Sequence, residues 1–244
     1  MPDAAILSGG FGLRLRGVIG ETAKPMAPIN GRPFLELLFR QLKRHGFSRV
    51  ILGVGYKHET IREYFGEQAC GLELVYSIET SPLGTGGALR QAAGYIATDN
   101  FLAMNGDSYT DADLSGLVQK HAGSNAAVTV VVIPETRSDA GSVVLDQNGK
   151  VKNFAEKRGV PESRYLSAGI YVLNKGLVNS VPPAIKISME EQLFPQWLAE
   201  GKDIEAFIFE GKCMDIGTPE RYQKAQAVLE KVESQRMIES EGQL

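Results

Sequence analysis

Arg14 and Lys24 are the residues whose surroundings first suggest chemistry. They follow the run Leu7-Ser8-Gly9-Gly10-Phe11-Gly12, and Lys24 stands directly before Pro25. Glycine lets backbone N–H groups approach phosphate oxygens, and nests of such groups bind anions. Two mobile cations beside such a loop make a triphosphate site that also neutralises charge during reaction. The loop is not a Walker A motif, because no Gly-Lys-Ser/Thr follows at the required spacing. Nor is it a dinucleotide fingerprint, since Leu15 occupies the position three after Gly12. A bare Gly-Gly-x-Gly fits an ordinary strand-to-helix turn equally well. Arg14 and Lys24-Pro25 favour phosphate.

Two carboxylates could serve the same site. The apolar run Phe101–Met104 leads through Asn105 and Gly106 to Asp107. Ligands in open α/β sheets sit beyond the carboxyl ends of strands, so Asp107 would face the cleft. Asp215 precedes Gly217-Thr218-Pro219, a helix-start signal. Magnesium takes one or two carboxylates together with phosphate oxygens and water. Taken alone, Asp107 also reads as a turn or capping residue, and Asp215 as a turn residue. Asp111 and Asp113 read as the start of a following helix. No Ser-His-Asp or Cys-His set is visible. The three histidines, His45, His58 and His121, sit in helix-like or polar contexts and read as surface residues. The two cysteines, Cys70 and Cys213, are far apart and read as buried free thiols.

Positioning these residues requires strands alternating with helices. Ala4–Leu7, Val50–Val54, Leu72–Tyr76 and Phe101–Met104 are apolar runs of strand length. Phe34 to His45 carries Leu35, Leu38, Phe39 and Leu42 at helical spacing, and Gly46 is a natural stop. Thr60–Phe65 and Ala88–Ile96 read as further helices, and Ala126–Ile133 as a β-branched strand. The pattern then changes: Ser142–Leu145 and Val151–Phe154 flank an Asn148-Gly149 turn, as in an antiparallel hairpin. Leu166–Leu173 and Ile204–Phe209 read as strands, Met189–Ala199 and Pro219–Val232 as helices. The expected fold is α/β, a Rossmann-like, mostly parallel mixed sheet flanked by helices. One domain over 1–232 is expected, with a nucleotide lobe to about 134, a sugar-phosphate lobe over about 135–217, and a closing helix over 218–232. A polar tail would occupy 233–244.

The chain has 244 residues, 43% hydrophobic and 23% charged, with a net charge of −3. That fits one large soluble domain, and it offers no broad basic surface for nucleic acid. No signal pattern and no apolar run of about 18 residues is present, which argues against a membrane partner and for the cytoplasm. Homo-oligomer formation is compatible with the sequence.

The pattern Gly-Gly-x-Gly-x-Arg-Leu, then Lys24-Pro25-Met26, then Gly31-Arg32-Pro33-Phe34, resembles the signature of the sugar-1-phosphate nucleotidyltransferases. The resemblance runs from the first strand to about Tyr222. The wording of Lys24–Asn30, Ser81-Pro82-Leu83-Gly84-Thr85-Gly86-Gly87-Ala88 and Asp215-Ile216-Gly217 is similar to the guanylyl-transferring members that act on D-glycero-α-D-manno-heptose 1-phosphate. It implies a glycosyltransferase-A-like architecture and transfer of GMP from GTP to a sugar 1-phosphate, with pyrophosphate released. The attacking oxygen is already anionic, so no general base is required.

The resemblance also implies roles. Arg14, Lys24 and Asp107 would be catalytic, with Asp107 and Asp215 holding Mg²⁺. Leu7, Ser8, Gly9, Gly10, Gly12 and Asn105 would line the nucleotide. Glu79 would face the base, where a carboxylate can accept from guanine N1–H and its amino group. Gly84 and Gly86 could read the base through backbone amides, with Thr85 beside them. On the sugar side the family's segments fall on Gly141, Glu156-Lys157 and Ser167-Ala168-Gly169, with serine at 167 in place of the usual asparagine. Two alternatives differ in kind. One is a UTP-, dTTP- or CTP-dependent hexose-1-phosphate enzyme. The other is a regulatory homologue without catalysis, which would be expected to lose a metal ligand or the loop arginine; Arg14, Lys24, Asp107 and Asp215 are all present.

Overall fold

The computed structural model describes residues 1–134, 142–155 and 165–229. The N-terminal half opens with β1 (Ala4–Ser8), a 3₁₀ turn (Leu13–Leu15), α1 (Arg16–Ile19) and a second 3₁₀ turn (Lys24–Met26). A two-residue ladder, β2 (Pro28–Ile29) and β3 (Arg32–Pro33), leads into α2 (Phe34–Arg44). Then come β4 (Arg49–Val54), α3 (His58–Phe65), β5 (Gln68–Ala69), β6 (Leu72–Ile78), α4 (Gly84–Ala92) and β7 (Asn100–Asn105). β8 (Ser108–Thr110), α5 (Leu114–Ala122) and β9 (Val128–Pro134) complete this half. The remainder holds β10 (Ser142–Leu145), β11 (Val151–Ala155), β12 (Tyr165–Asn174) and α6 (Lys175–Asn179). A π turn (Met189–Leu193), α7 (Phe194–Ala199), β13 (Ile204–Ile208) and β14 (Cys213–Asp215) follow. A last helix, α8, covers 219–229.

The main sheet runs β11-β10-β12-β7-β1-β4-β6-β5, with β9 pairing β12 and β13. β7, β1, β4 and β6 are mutually parallel. β12 joins β7 antiparallel, so β7 is the seam between the two halves. Side chains alternate across the sheet. Ala4, Ile6, Leu52 and Met104 face one core with Leu35, Leu38, Phe39 and Leu42 of α2. Ala5, Ile51, Phe101 and Ala103 face the other with Leu89 of α4 and Phe194 and Trp197 of α7. Burial on both faces explains why these strands read as continuous apolar runs.

Several expectations change. The helix expected over 189–199 begins as a π turn, with the Leu193 N–H donating to the Ser188 carbonyl (3.1 Å). Pro195 has no N–H for the Glu191 carbonyl, which favours the wider turn. The helix expected from Ala88 starts at Gly84. Gly84 has φ +70°, and a Cβ there would lie 2.6 Å from the Ile187 carbonyl oxygen. Gly84→Ala is therefore expected to cost about 2–3 kcal/mol, because overpacking and a left-handed φ act together. A lower urea midpoint at unchanged m-value checks this. His121 is not a surface residue: it is buried, its Nδ1 lies 2.9 Å from Thr129 Oγ1, and burial holds its pKa below the usual histidine value. Cys70 and Cys213 are half-buried rather than buried.

Candidate active site

The glycine loop leaves the carboxyl end of β1 and folds over Lys24 and Glu79. Gly12 sits in the left-handed region (φ 59°, ψ 27°) and starts the Leu13–Leu15 turn. A Cβ at Gly12 would lie 2.9 Å from Lys24 Cβ, and one at Gly9 would fall on the Glu79 carboxylate. The glycines are thus needed for close approach. Together the loop, Lys24 and Glu79 line a cavity of about 610 Å³, joined by Arg14, Asn105, Asp107, Thr85 and Gly84. Leu7, Ser8 and Gly10 line it as well.

The charged end of the cavity is built by two ladders. β7 ends at Asn105, and Asp107 follows across Gly106. β14 pairs antiparallel with β8, setting Asp215 opposite Ser108. The Ile216 N–H donates to the Asp107 carbonyl (2.9 Å), so the two aspartates are held as neighbours. Lys24 Nζ donates to Asp107 Oδ2, and Ser108 Oγ donates to Oδ1 at 3.1 Å. Asp215 Oδ1 accepts the Gly217 N–H at 2.8 Å, and Arg221 Nη1 lies 3.3 and 3.2 Å from its two oxygens. A methyl built on Gly217 would stand 2.8 Å from Asp215 Oδ1 and 3.8 Å from both Arg14 Nη2 and Lys24 Nζ. Four charged groups from distant segments therefore converge on one spot. Among the described residues no group of three or more His, Cys, Asp or Glu side chains forms a metal cage. A cation here would draw on the two aspartates and on oxygens of a bound phosphate.

Glu79, also on the cavity, continues from β6. Its N–H donates to the Val54 carbonyl (2.8 Å), and its Oε2 accepts the Leu83 N–H at 3.1 Å. Burial pushes the Glu79 carboxyl above its ordinary value, with the Leu83 N–H acting in the opposite direction. The turn after it is pinned by the Ile187 backbone. Ile187 donates to the Leu83 carbonyl (2.9 Å), and its own carbonyl accepts the Gly86 N–H (2.9 Å). This corrects the expectation for Gly86, whose amide is spent within the fold rather than offered to a base. Thr85 Oγ1 is similarly engaged, accepting the Met189 N–H (2.8 Å) and donating to Glu190 Oε2 (2.7 Å).

On β12 Gly169 lies against Asn105, and its φ of +71° together with a 2.5 Å approach of Asn105 Nδ2 to a built Cβ requires glycine. Ser167 Oγ accepts the Gly169 N–H at 3.2 Å. Gly141, Glu156 and Lys157 lie outside the described residues. Sequence reasoning missed Lys186, which lines the cavity, and Arg221, which grips Asp215. Lys186 sits in a loop with no motif. Arg221 could have been found, since it falls one turn into the helix that the Thr218-Pro219 start predicts.

A nucleotidyl transferase family model matches residues 3–232. The chain is 36% identical over 228 residues to a D-glycero-alpha-D-manno-heptose 1-phosphate guanylyltransferase of Aneurinibacillus thermoaerophilus, covering 93% of this chain and 98% of that protein. It is 38% identical over 221 residues to the Campylobacter jejuni protein of the same name, covering 90% and 96%. HddC from Yersinia pseudotuberculosis, solved in complex with GMP-PN, superposes with a TM-score of 0.80 at 31% identity, covering 94% of this chain and all of that one. With residues 3–232 matched and the charged cluster in place, the chain belongs to the nucleotidyl transferase family.

Proposed function

We propose that this protein transfers GMP from GTP to D-glycero-α-D-manno-heptose 1-phosphate, giving GDP-heptose and pyrophosphate. The observation that carries this reading is the convergence of Arg14, Lys24, Asp107 and Asp215 about Gly217, beside a cavity that Glu79 also lines. The names of the relatives support the choice of nucleotide and sugar. The heptose phosphate oxygen attacks the α-phosphorus. A new P–O bond forms as the bond to the β-phosphate bridging oxygen breaks, and pyrophosphate leaves with that electron pair. Arg14, exposed on the loop, meets the leaving phosphates. Lys24 turns from Asp107 to the phosphate on which charge builds. Asp107 and Asp215 fit a divalent cation, Mg²⁺ in this reading, which when bound would neutralise phosphate charge. Residues 1–134 then serve as the nucleotide lobe and 135–217 as the sugar-phosphate lobe, in an enzyme of the cytoplasm. Among the described residues no helix is long and apolar enough to cross a membrane.

Glu79 accepts from guanine N1–H and the 2-amino group, and Lys186 on the same cavity offers a donor to the guanine carbonyl. Glu79→Gln is expected to reduce GTP preference by about 10- to 100-fold, or 1–3 kcal/mol. Because the Glu79 pKa is raised, its charge is lost as pH falls through that raised value. KM for GTP should therefore climb on the acid side in the wild type, and the climb should vanish in Glu79→Gln. Unchanged selectivity between GTP and UTP would remove Glu79 from base reading.

The whole reading is tested by pyrophosphate release with Mg²⁺ across four nucleoside triphosphates and several sugar 1-phosphates. Release with GTP and the manno-heptose phosphate supports it. Release with UTP, dTTP or CTP and a hexose phosphate keeps the chemistry and replaces both substrates. Binding without release from any pair points to a regulatory homologue.

A further inference from the structure

Glu190 belongs to none of the roles above, yet it lies between the nucleotide turn and the sugar-side strand. It sits in the π turn, half-buried, and its two oxygens serve opposite directions. Oε2 accepts from Thr85 Oγ1 at 2.7 Å and from Ser188 Oγ at 3.3 Å. Oε1 accepts from the Tyr171 hydroxyl at 3.1 Å, and that hydroxyl lies 3.1 Å from Ser167 Oγ. Tyr171 is buried on β12.

Proton accounting fixes the direction of this chain. A carboxylate only accepts, and a tyrosine hydroxyl carries one proton. Tyr171 gives that proton to Glu190, so it must accept from Ser167. Ser167 then spends its proton inward and uses one lone pair on the Gly169 N–H. One lone pair remains. We propose that Glu190 is a positioning residue that polarises the Tyr171–Ser167 pair, so that Ser167 meets the sugar only as a hydrogen-bond acceptor, while the same carboxylate ties the Thr85 turn to the sugar strand. This rests on the reading that the sugar phosphate binds beside Ser167. A sugar hydroxyl that donates would be selected there. The shorter serine at 167 is then completed by the residues behind it.

Two linked measurements test it. The first needs no substrate: thermal melting of Glu190→Gln, Ser167→Ala and the double variant, repeated with Tyr171→Phe present. Glu190 and Ser167 communicate through Tyr171 in this proposal. Their melting shifts should be non-additive with Tyr171 and additive with Tyr171→Phe, since uncoupled sites add. Additive shifts in the Tyr171 background would overturn the relay. The second uses steady-state kinetics with the sugar 1-phosphate that the wild type turns over. Tyr171→Phe should raise its KM about fivefold to tenfold, with KM for GTP within about twofold. In the Ser167→Ala background the same change should add less than about twofold. A full fivefold rise in that background would make Tyr171 a packing residue and overturn the acceptor role. If the wild type releases pyrophosphate from no pair, the functional reading has failed separately and the acceptor role falls with it, while the melting cycle still decides the relay.

Discussion

Asp107→Asn should lower kcat by about 10³-fold or more, roughly 4 kcal/mol of transition-state stabilisation. The substitution keeps the shape of the side chain and removes its charge. Asp107 binds Lys24 at one oxygen and Ser108 at the other, beside an Asp215 that pairs with Arg221. Asparagine can preserve the Ser108 contact, so folding should survive and urea midpoints should stay close to wild type. What is lost is the carboxylate that binds Lys24 and that, in the proposed function, meets phosphate and cation. Steady-state turnover with saturating GTP and sugar phosphate measures this. A kcat within a few-fold of wild type would remove Asp107 from the reaction centre.

Lys24→Met should lower kcat by about 10²–10³-fold while moving both KM values much less. The methionine keeps the apolar stem on which the Gly12 backbone rests and deletes the ammonium. An interaction used only as charge builds on phosphate appears in kcat, not in ground-state binding. Lys24→Arg should not rescue it. The Lys24 ammonium is a compact point charge seated on Asp107, and a planar guanidinium does not reproduce that geometry. A KM effect with unchanged kcat would make Lys24 a binding residue only.

The site was legible where local signals and chemistry coincide. The glycine loop follows an apolar strand, and Asp107 follows another, so both could be assigned to the carboxyl edge of a sheet from sequence alone. The β10–β11 hairpin was legible through its Asn-Gly turn. What stayed hidden depends on tertiary contacts. β8 and β14 are three residues each, too short for any periodic pattern, yet their pairing brings Asp215 beside Asp107. The Gly86 amide looked free because nothing local reveals that Ile187, far along the chain, would occupy it. His121 read as exposed because its helix looked polar, whereas Thr129 on β9 receives its ring in the interior. Glu190 was visible only as a residue of the helix expected over Met189–Ala199, since the π turn follows from Pro195 and the packing of Phe194 and Trp197.

The pairing register also sets a timetable for synthesis. Ala4 lies beside Leu102, so β1 cannot acquire its second parallel neighbour until more than 100 residues have been made. β7 then waits for Ile170 to meet Met104. The last ladder, β14 on β8, forms only when Asp215 reaches Ser108. Contacts this distant along the chain make slow steps in folding. A nascent chain stopped before Cys213 would hold the glycine loop and Asp107 but not Asp215. On the ribosome, the glycine loop and Asp107 would therefore be made well before the second carboxylate arrives.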